Sequence, residues 1–238
     1  MRYIDSKLFL IQVIIQLVFI ALVFIVDLSL ITQSIISGVF LCIVGIPHGS
    51  NDYLYRKDRS TWGLVKFLLS YLGIIAAYAL LWYYLPIVAL VLFFIVSFHH
   101  FGQSNYENQS IWNPSAILWG IFLIMLPVIL HFEEAIIIFK SMLTFDQSYA
   151  VNQTYPIQIS LWQIISISIF LVVYLFSIYH FEKSKIVNYS LQLILISIWY
   201  FLTPLLFGFI MVFCLWHSLQ SLRHQKAYYK SITHRSSK

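Results

Sequence analysis

The sequence predicts an all-α protein, a polytopic membrane helix bundle of about eight transmembrane helices with cytoplasmic N- and C-termini. Three observations carry that expectation. First, 61% of the 238 residues are hydrophobic and only 10% are charged, whereas a soluble domain typically carries about 25% charged residues. Second, the apolar residues gather in runs near the length of about 20 residues that a helix needs to cross hydrocarbon. Third, the basic residues fall in alternate intervening segments. Together these exclude a soluble globular enzyme, a disordered chain and a secreted disulfide scaffold.

The expected spans are 8–26, 30–47, 64–83, 86–101, 114–131, 159–180, 189–203 and 205–222. The first apolar run, Leu8 to Val26, is longer than the stretch of about 7–15 residues in a cleaved signal peptide, so it reads as a retained helix. Pro86 divides the third span from the fourth, and Thr203-Pro204 divides the seventh from the eighth. Proline lacks an N–H and disfavours helical geometry in the residue before it, so both are natural breaks. A kinked long helix is the rival reading at each. With the N-terminus cytoplasmic, the cytoplasmic segments hold Arg2 and Lys7, then Arg56, Lys57, Arg59 and Lys66. They also hold Lys183 and Lys185, then Arg223, Lys226, Lys230, Arg235 and Lys238. Of the 14 basic residues only Lys140 falls outside. Basic residues hold loops in the cytoplasm, so this split supports the orientation and an even number of spans. The net charge of +5 is thereby a matter of topology, and no nucleic-acid partner is expected.

Trp62, Trp82, Tyr83, Tyr84 and Trp112 stand at span ends, where interfacial anchors belong. The segment from about 132 to 158, with Glu133, Glu134 and Asp146, is the long outer loop and is expected on the membrane surface. Cys42 and Cys214 lie inside apolar runs and read as small buried hydrophobes. The whole chain, 1–238, is expected to form a single integral membrane domain.

Eight histidines stand in a chain with few other ionisable groups. His131 ends the fifth span on the outer side, and His234 lies in the tail. The other six are His48, His99, His100, His180, His217 and His224. They lie toward the inner ends of the second, fourth, sixth and eighth spans, near one level. An ionisable side chain within a bilayer is costly unless satisfied, so it tends to face the bundle interior. Neutral imidazole is also a common ligand for iron, copper and zinc. A lone histidine at a helix end is more simply interfacial, the reading for His180 and His131. His99 and His100 are ~100° apart around a helix, so one of them turns inward. His48, one of that pair, and His217 form the candidate metal site.

Asp52 follows His48 by one helical turn and could hold the imidazole by accepting its spare N–H. Pairing with Arg56 is the alternative. His224 shares a face with His217 but lies ~10.5 Å further along the axis. The order Gly-Ser-Asn-Tyr recurs after His48 and after His100, a hint of a duplicated two-helix unit.

Three fragments occur in order: Pro47-His48-Gly49-x-x-Asp52, His100-Phe101-Gly102, and Trp216-His217-Ser218 with a later histidine. Together they resemble the Brp/Blh family of membrane β-carotene 15,15′-dioxygenases. The resemblance implies an Fe(2+) centre that cleaves the central double bond of β-carotene with dioxygen, giving two retinals. It implies His48, His100 and His217 as catalytic ligands, with His100 favoured over His99 because it directly precedes Phe-Gly. Family members carry a further histidine about one turn after the one matching His217. Here Ser221 stands there, and His224 is the candidate fourth ligand. The family tends to be acidic near Asn105; Asp52 and Asn105 are the expected supporting polar residues. Tyr53, Phe98, Phe101, Tyr106 and Trp216 are the candidate substrate contacts. The implied partners are β-carotene, dioxygen and the lipid bilayer. The implied setting is the inner or plasma membrane of a bacterium, with a retinal-binding rhodopsin as downstream user.

Two other functions fit parts of the pattern. Another iron–histidine membrane oxidoreductase would show paired histidine boxes, and no histidine stands two to four positions before His99-His100. A metal or proton transporter would place ionisable groups at several depths. Here the middles of the spans carry amides and hydroxyls, among them Gln12, Gln16 and Gln163. His99 and His131 are expected to be dispensable.

Overall fold

The computed structural model describes residues 6–26, 28–56, 58–106, 112–145 and 158–236. Arg2, Lys57, Asp146 and Lys238, which entered the topology reading, lie outside them. All the described elements are helical. In chain order, α1 (Ser6–Val26) and α2 (Leu30–Phe40) lead into a π-helical turn, Leu41–Gly45. Then come α3 (Ile46–Ser50), a 3-10 turn at Asn51–Tyr55, α4 (Thr61–Tyr84), α5 (Pro86–Asn105), α6 (Pro114–Leu130) and α7 (Phe132–Thr144). They are followed by α8 (Leu161–Phe181), α9 (Ile186–Leu202) and α10 (Leu205–Val212). A second π-helical turn, Phe213–Ser218, runs into α11 (Leu219–Ser236).

Among the described residues six helical runs are long and apolar enough to cross a membrane: Leu30–Tyr53, Thr61–Tyr84, Pro86–Asn105, Leu161–Phe181, Lys183–Leu202 and Leu205–Lys230. The multi-pass membrane character expected from composition is therefore present. Two of the eight expected spans differ. The apolar stretch of the first helix, Lys7–Val23, is shorter than the others. The fifth expected span, α6, has 17 residues, about 25 Å of helix. The chain then bends by 102° at His131 into α7, and this broken pair makes up to a seventh crossing. The first half of the expected surface loop is thus helix. Its acidic first turn, Glu133 and Glu134, suits the positive end of the α7 dipole.

Local signals place the other boundaries. The Ser29 and Ser60 hydroxyls accept from the Thr32 and Gly63 backbone N–H groups, and Asn113 accepts from Ser115 N–H. Each satisfies an otherwise orphaned donor at a helix start. Both proline breaks are present: α5 begins at Pro86, and Thr203 is extended before Pro204.

Lipid offers no hydrophobic drive between helices, so close packing and buried polar pairs must hold the bundle. Tyr106 Oη meets Tyr174 Oη at 2.9 Å, Ser115 Oγ meets Ser177 Oγ at 2.7 Å, and Asn113 donates to Glu182 at 3.0 Å. α5 and α6 touch backbone to backbone. A Cβ on Gly102 would stand 2.0 Å from the Ala116 carbonyl oxygen, and one on Gly120 1.7 Å from that of Phe98. Neither backbone atom can yield without parting the helices. Gly120→Ala is expected to destabilise the bundle by about 3 kcal/mol or more, read as a lower melting temperature in detergent. A melting temperature equal to the unsubstituted protein's would contradict this packing.

Candidate metal centre

His48, His100 and His217 come together at one end of the bundle, each with a ligand nitrogen within 4.8 Å of the others. The ring centroids lie 5.1 Å apart for His48–His217, 4.9 Å for His100–His217 and 6.4 Å for His48–His100. Two nitrogens on one ion at ~2.1 Å stand no more than ~4.2 Å apart, close to the bound on this cluster. His217 is buried, His48 half-buried and His100 exposed.

The two π turns deliver two of these rings. Pro47 has no N–H for a regular ladder, and the helix widens just before it. His217 lies within the second π turn. The turns abut: a Cβ on Gly45 would stand 3.2 Å from the Phe213 ring and 3.6 Å from Cys214 Sγ. Gln12 of α1 donates to the Leu215 carbonyl at 2.7 Å, inside the second turn. Gln16 accepts from Trp216 Nε1 at 3.0 Å and donates to the Leu195 carbonyl at 2.6 Å. Gln163 donates to the Ile129 carbonyl at 2.5 Å. Gln163 is not mid-span but in the first turn of α8, where its side chain completes a capping box with Ser160; all three amides are spent on fixing backbone carbonyls, which leaves them poor steps for a transport path.

Hydrogen bonding sets the tautomers. His48 Nδ1 bonds the Gly45 carbonyl, which can only accept, so the ring proton is on Nδ1. His217 Nδ1 lies 3.0 Å from Ser104 Oγ, and the Ser104 hydroxyl donates to the Phe101 carbonyl at 2.8 Å. With that hydroxyl proton committed, the proton between serine and imidazole belongs to Nδ1. In the neutral tautomers that these contacts select, each ring carries its lone pair on Nε2. His217 Nε2 is buried and has no hydrogen-bond partner in the protein. A buried orphan acceptor among three neutral imidazoles is the signature of a ligand set, and the residues present fit a transition metal. Phe101 and Phe213 lie roughly parallel to the His217 ring at centroid distances of 4.3 and 5.5 Å.

The remaining expected residues divide. Asp52 is within electrostatic reach of His48 and His100, and Arg56 lies over the Tyr53 ring at 6.0 Å. His224 lies outside the cluster of three. Its helix instead sends Gln225 Nε2 to the His48 carbonyl at 2.5 Å. Asn105 donates to Gln192 at 2.9 Å. Of the aromatic candidates, Phe101 touches His217, and Phe98 stacks on Phe94 at 5.9 Å. Tyr53 is exposed. Tyr106 is core, stacked on Tyr189 at 4.6 Å, and Trp216 packs toward α1 against Phe9 at 5.9 Å. His99 faces Trp112 at 5.4 Å, and His180 is exposed.

His131 is not interfacial. It is buried at the α6–α7 bend, with Nε2–H donating to the Tyr200 carbonyl at 2.8 Å and Nδ1 3.6 Å from Glu134. The two Gly-Ser-Asn-Tyr fragments also differ in shape: Asn51–Tyr55 is a 3-10 turn, whereas 101–105 is regular helix. Ser104, Phe213 and Gln225 went unnoticed in the sequence. Only Ser104 had a local signal, its place one turn beyond His100.

A family model described as beta-carotene 15,15′-dioxygenase matches residues 39–237. A relative named beta-carotene 15,15′-dioxygenase, from uncultured marine bacterium 66A03, is 29% identical over 213 residues. The match covers 82% of this chain and 69% of the relative. No solved structure matches.

Two outcomes are expected of this geometry. Ser104→Ala frees the His217 tautomer and weakens metal binding by about 10- to 100-fold, measured by metal titration in detergent; unchanged affinity would refute the assignment. His131→Ala lowers stability by about 1–3 kcal/mol with metal binding unaltered. An unchanged melting temperature would return His131 to the interfacial reading.

Proposed function

The chain belongs to the β-carotene 15,15′-dioxygenase family, and on that premise we propose that His48, His100 and His217 hold an iron(II) ion that serves central cleavage of β-carotene. The enzyme is a carotenoid-cleaving dioxygenase by family. The overall change balances with no further oxidant: the central C=C breaks, each carbon takes one atom of O2, and two retinals leave. Iron, once bound, supplies the activation of dioxygen beside the polyene.

The protein's own part follows from its side chains. Gly45 and Ser104 hold two rings with Nε2 free, so no proton has to leave an imidazole before ligation. Neutral ligands suit an apolar setting, where isolated carboxylates are expensive, and three of them leave coordination positions open. Asp52 is the acidic side chain within electrostatic reach of His48 and His100. Phe101 and Phe213 sheathe His217 and keep water from its ring. The exposed His100 marks the open side, where a hydrophobic substrate can arrive from the bilayer. The proposed setting is a bacterial plasma membrane, with retinal passing to a retinal-binding rhodopsin.

The observation that carries this reading is the buried, partnerless His217 Nε2 facing two further imidazoles. The test is incubation of purified protein with β-carotene, iron(II) and oxygen. Retinal is the expected product, chelation is expected to abolish it, and iron but not zinc to restore it. His100→Ala should lose product while His99→Ala retains it. Full turnover with zinc, or by His100→Ala, would overturn the assignment.

A further inference from the structure

A wholly apolar cleft of ≈ 410 Å³ opens between α4, α5, α6, α7 and α10. Phe93, Phe94, Ile138, Phe139, Leu206 and Phe209 are among its walls. Phe93, Leu206 and Met142 are about half exposed, so its mouth faces sideways, toward hydrocarbon in a membrane. Tyr78 lines it, but the Tyr78 hydroxyl donates to the Ala89 carbonyl at 3.0 Å. A polar substituent inside would therefore be buried without a partner. The cleft suits a hydrocarbon.

The cleft is joined to the histidine cluster by aromatic rings. Phe209 stacks on Phe101 at 6.4 Å, and Phe101 stacks on His217 at 4.3 Å. Phe209 precedes His217 by just over two helical turns, about 12 Å along the axis. That span is comparable with half an extended polyene ending in a six-membered ring.

We infer that this cleft holds one end ring of the carotenoid while the central double bond lies at His48, His100 and His217. The inference rests on the function proposed above and adds to it where the substrate end lodges. It gives the enzyme a ruler: the depth of the cleft fixes which bond reaches the histidines. A cleft without polar groups selects the ring by shape and burial alone.

The test fills the cleft far from the histidines. Ile138→Trp and Leu206→Trp are expected to raise KM for β-carotene about tenfold or more, with bound iron unchanged. A carotenoid shortened at one end, leaving a single ring, is expected to keep its unsubstituted KM, because its short end needs no room in the cleft. Should a filled variant fail to fold, Phe139→Ala and Met142→Ala decide: loosening the walls is expected to raise KM several-fold at constant iron content. Unchanged KM for β-carotene in the filled variants, or in the loosened ones when those decide, overturns the inference and leaves the proposed function standing. A protein without substitutions that yields no retinal overturns both.

Discussion

The centre depends on one constraint: an imidazole lone pair buried in protein must meet something that can accept it. Ser104 on one side of the ring holds its proton on Nδ1, so His217 Nε2 is an acceptor, and it meets no donor in the protein. His48 is locked the same way by the Gly45 carbonyl. Leaving a buried acceptor unmade costs free energy, and the fold bears that cost at the point where three imidazoles converge. A metal ion is a partner that such a set can hold.

Much of the remaining architecture holds that convergence in place. Both π turns interrupt regular helix, and interruptions of this kind need outside partners for the backbone. Gln12 reaches the Leu215 carbonyl from α1, and Gln225 reaches the His48 carbonyl from α11. The sequence-distant ends of the chain thereby hold the second turn and the short helix that follows the first. α5, which carries His100, is fixed by its glycine-mediated contact with α6. Within lipid, where apolar surfaces gain little by meeting each other, such contacts carry the specificity.

The opposite end of the bundle is organised around the bend at His131. The imidazole ties α7 back to the Tyr200 carbonyl, and Glu134 accepts from the Leu205 backbone N–H. α7 then closes one side of the apolar cleft. The aromatic run Phe209–Phe101–His217 leads from that cleft to the ligand set.

The sequence by itself determined the helical membrane class and the breaks at Pro86 and Pro204, and its resemblance to a family singled out His48, His100 and His217. Composition, run length, proline geometry and short motifs are local quantities, so they are legible along the chain. Only the tertiary structure decided that His224 stands outside the cluster, that Asn105 turns to Gln192, that Tyr106 is core and that His131 is buried at a hinge. It also supplied Ser104, Phe213 and Gln225 as companions of the histidines. These depend on which face of a helix meets a partner up to 177 residues away, and one π turn rotates every residue beyond it. Helical periodicity read from sequence assumes a regular helix, and the site is built where the helix is not regular.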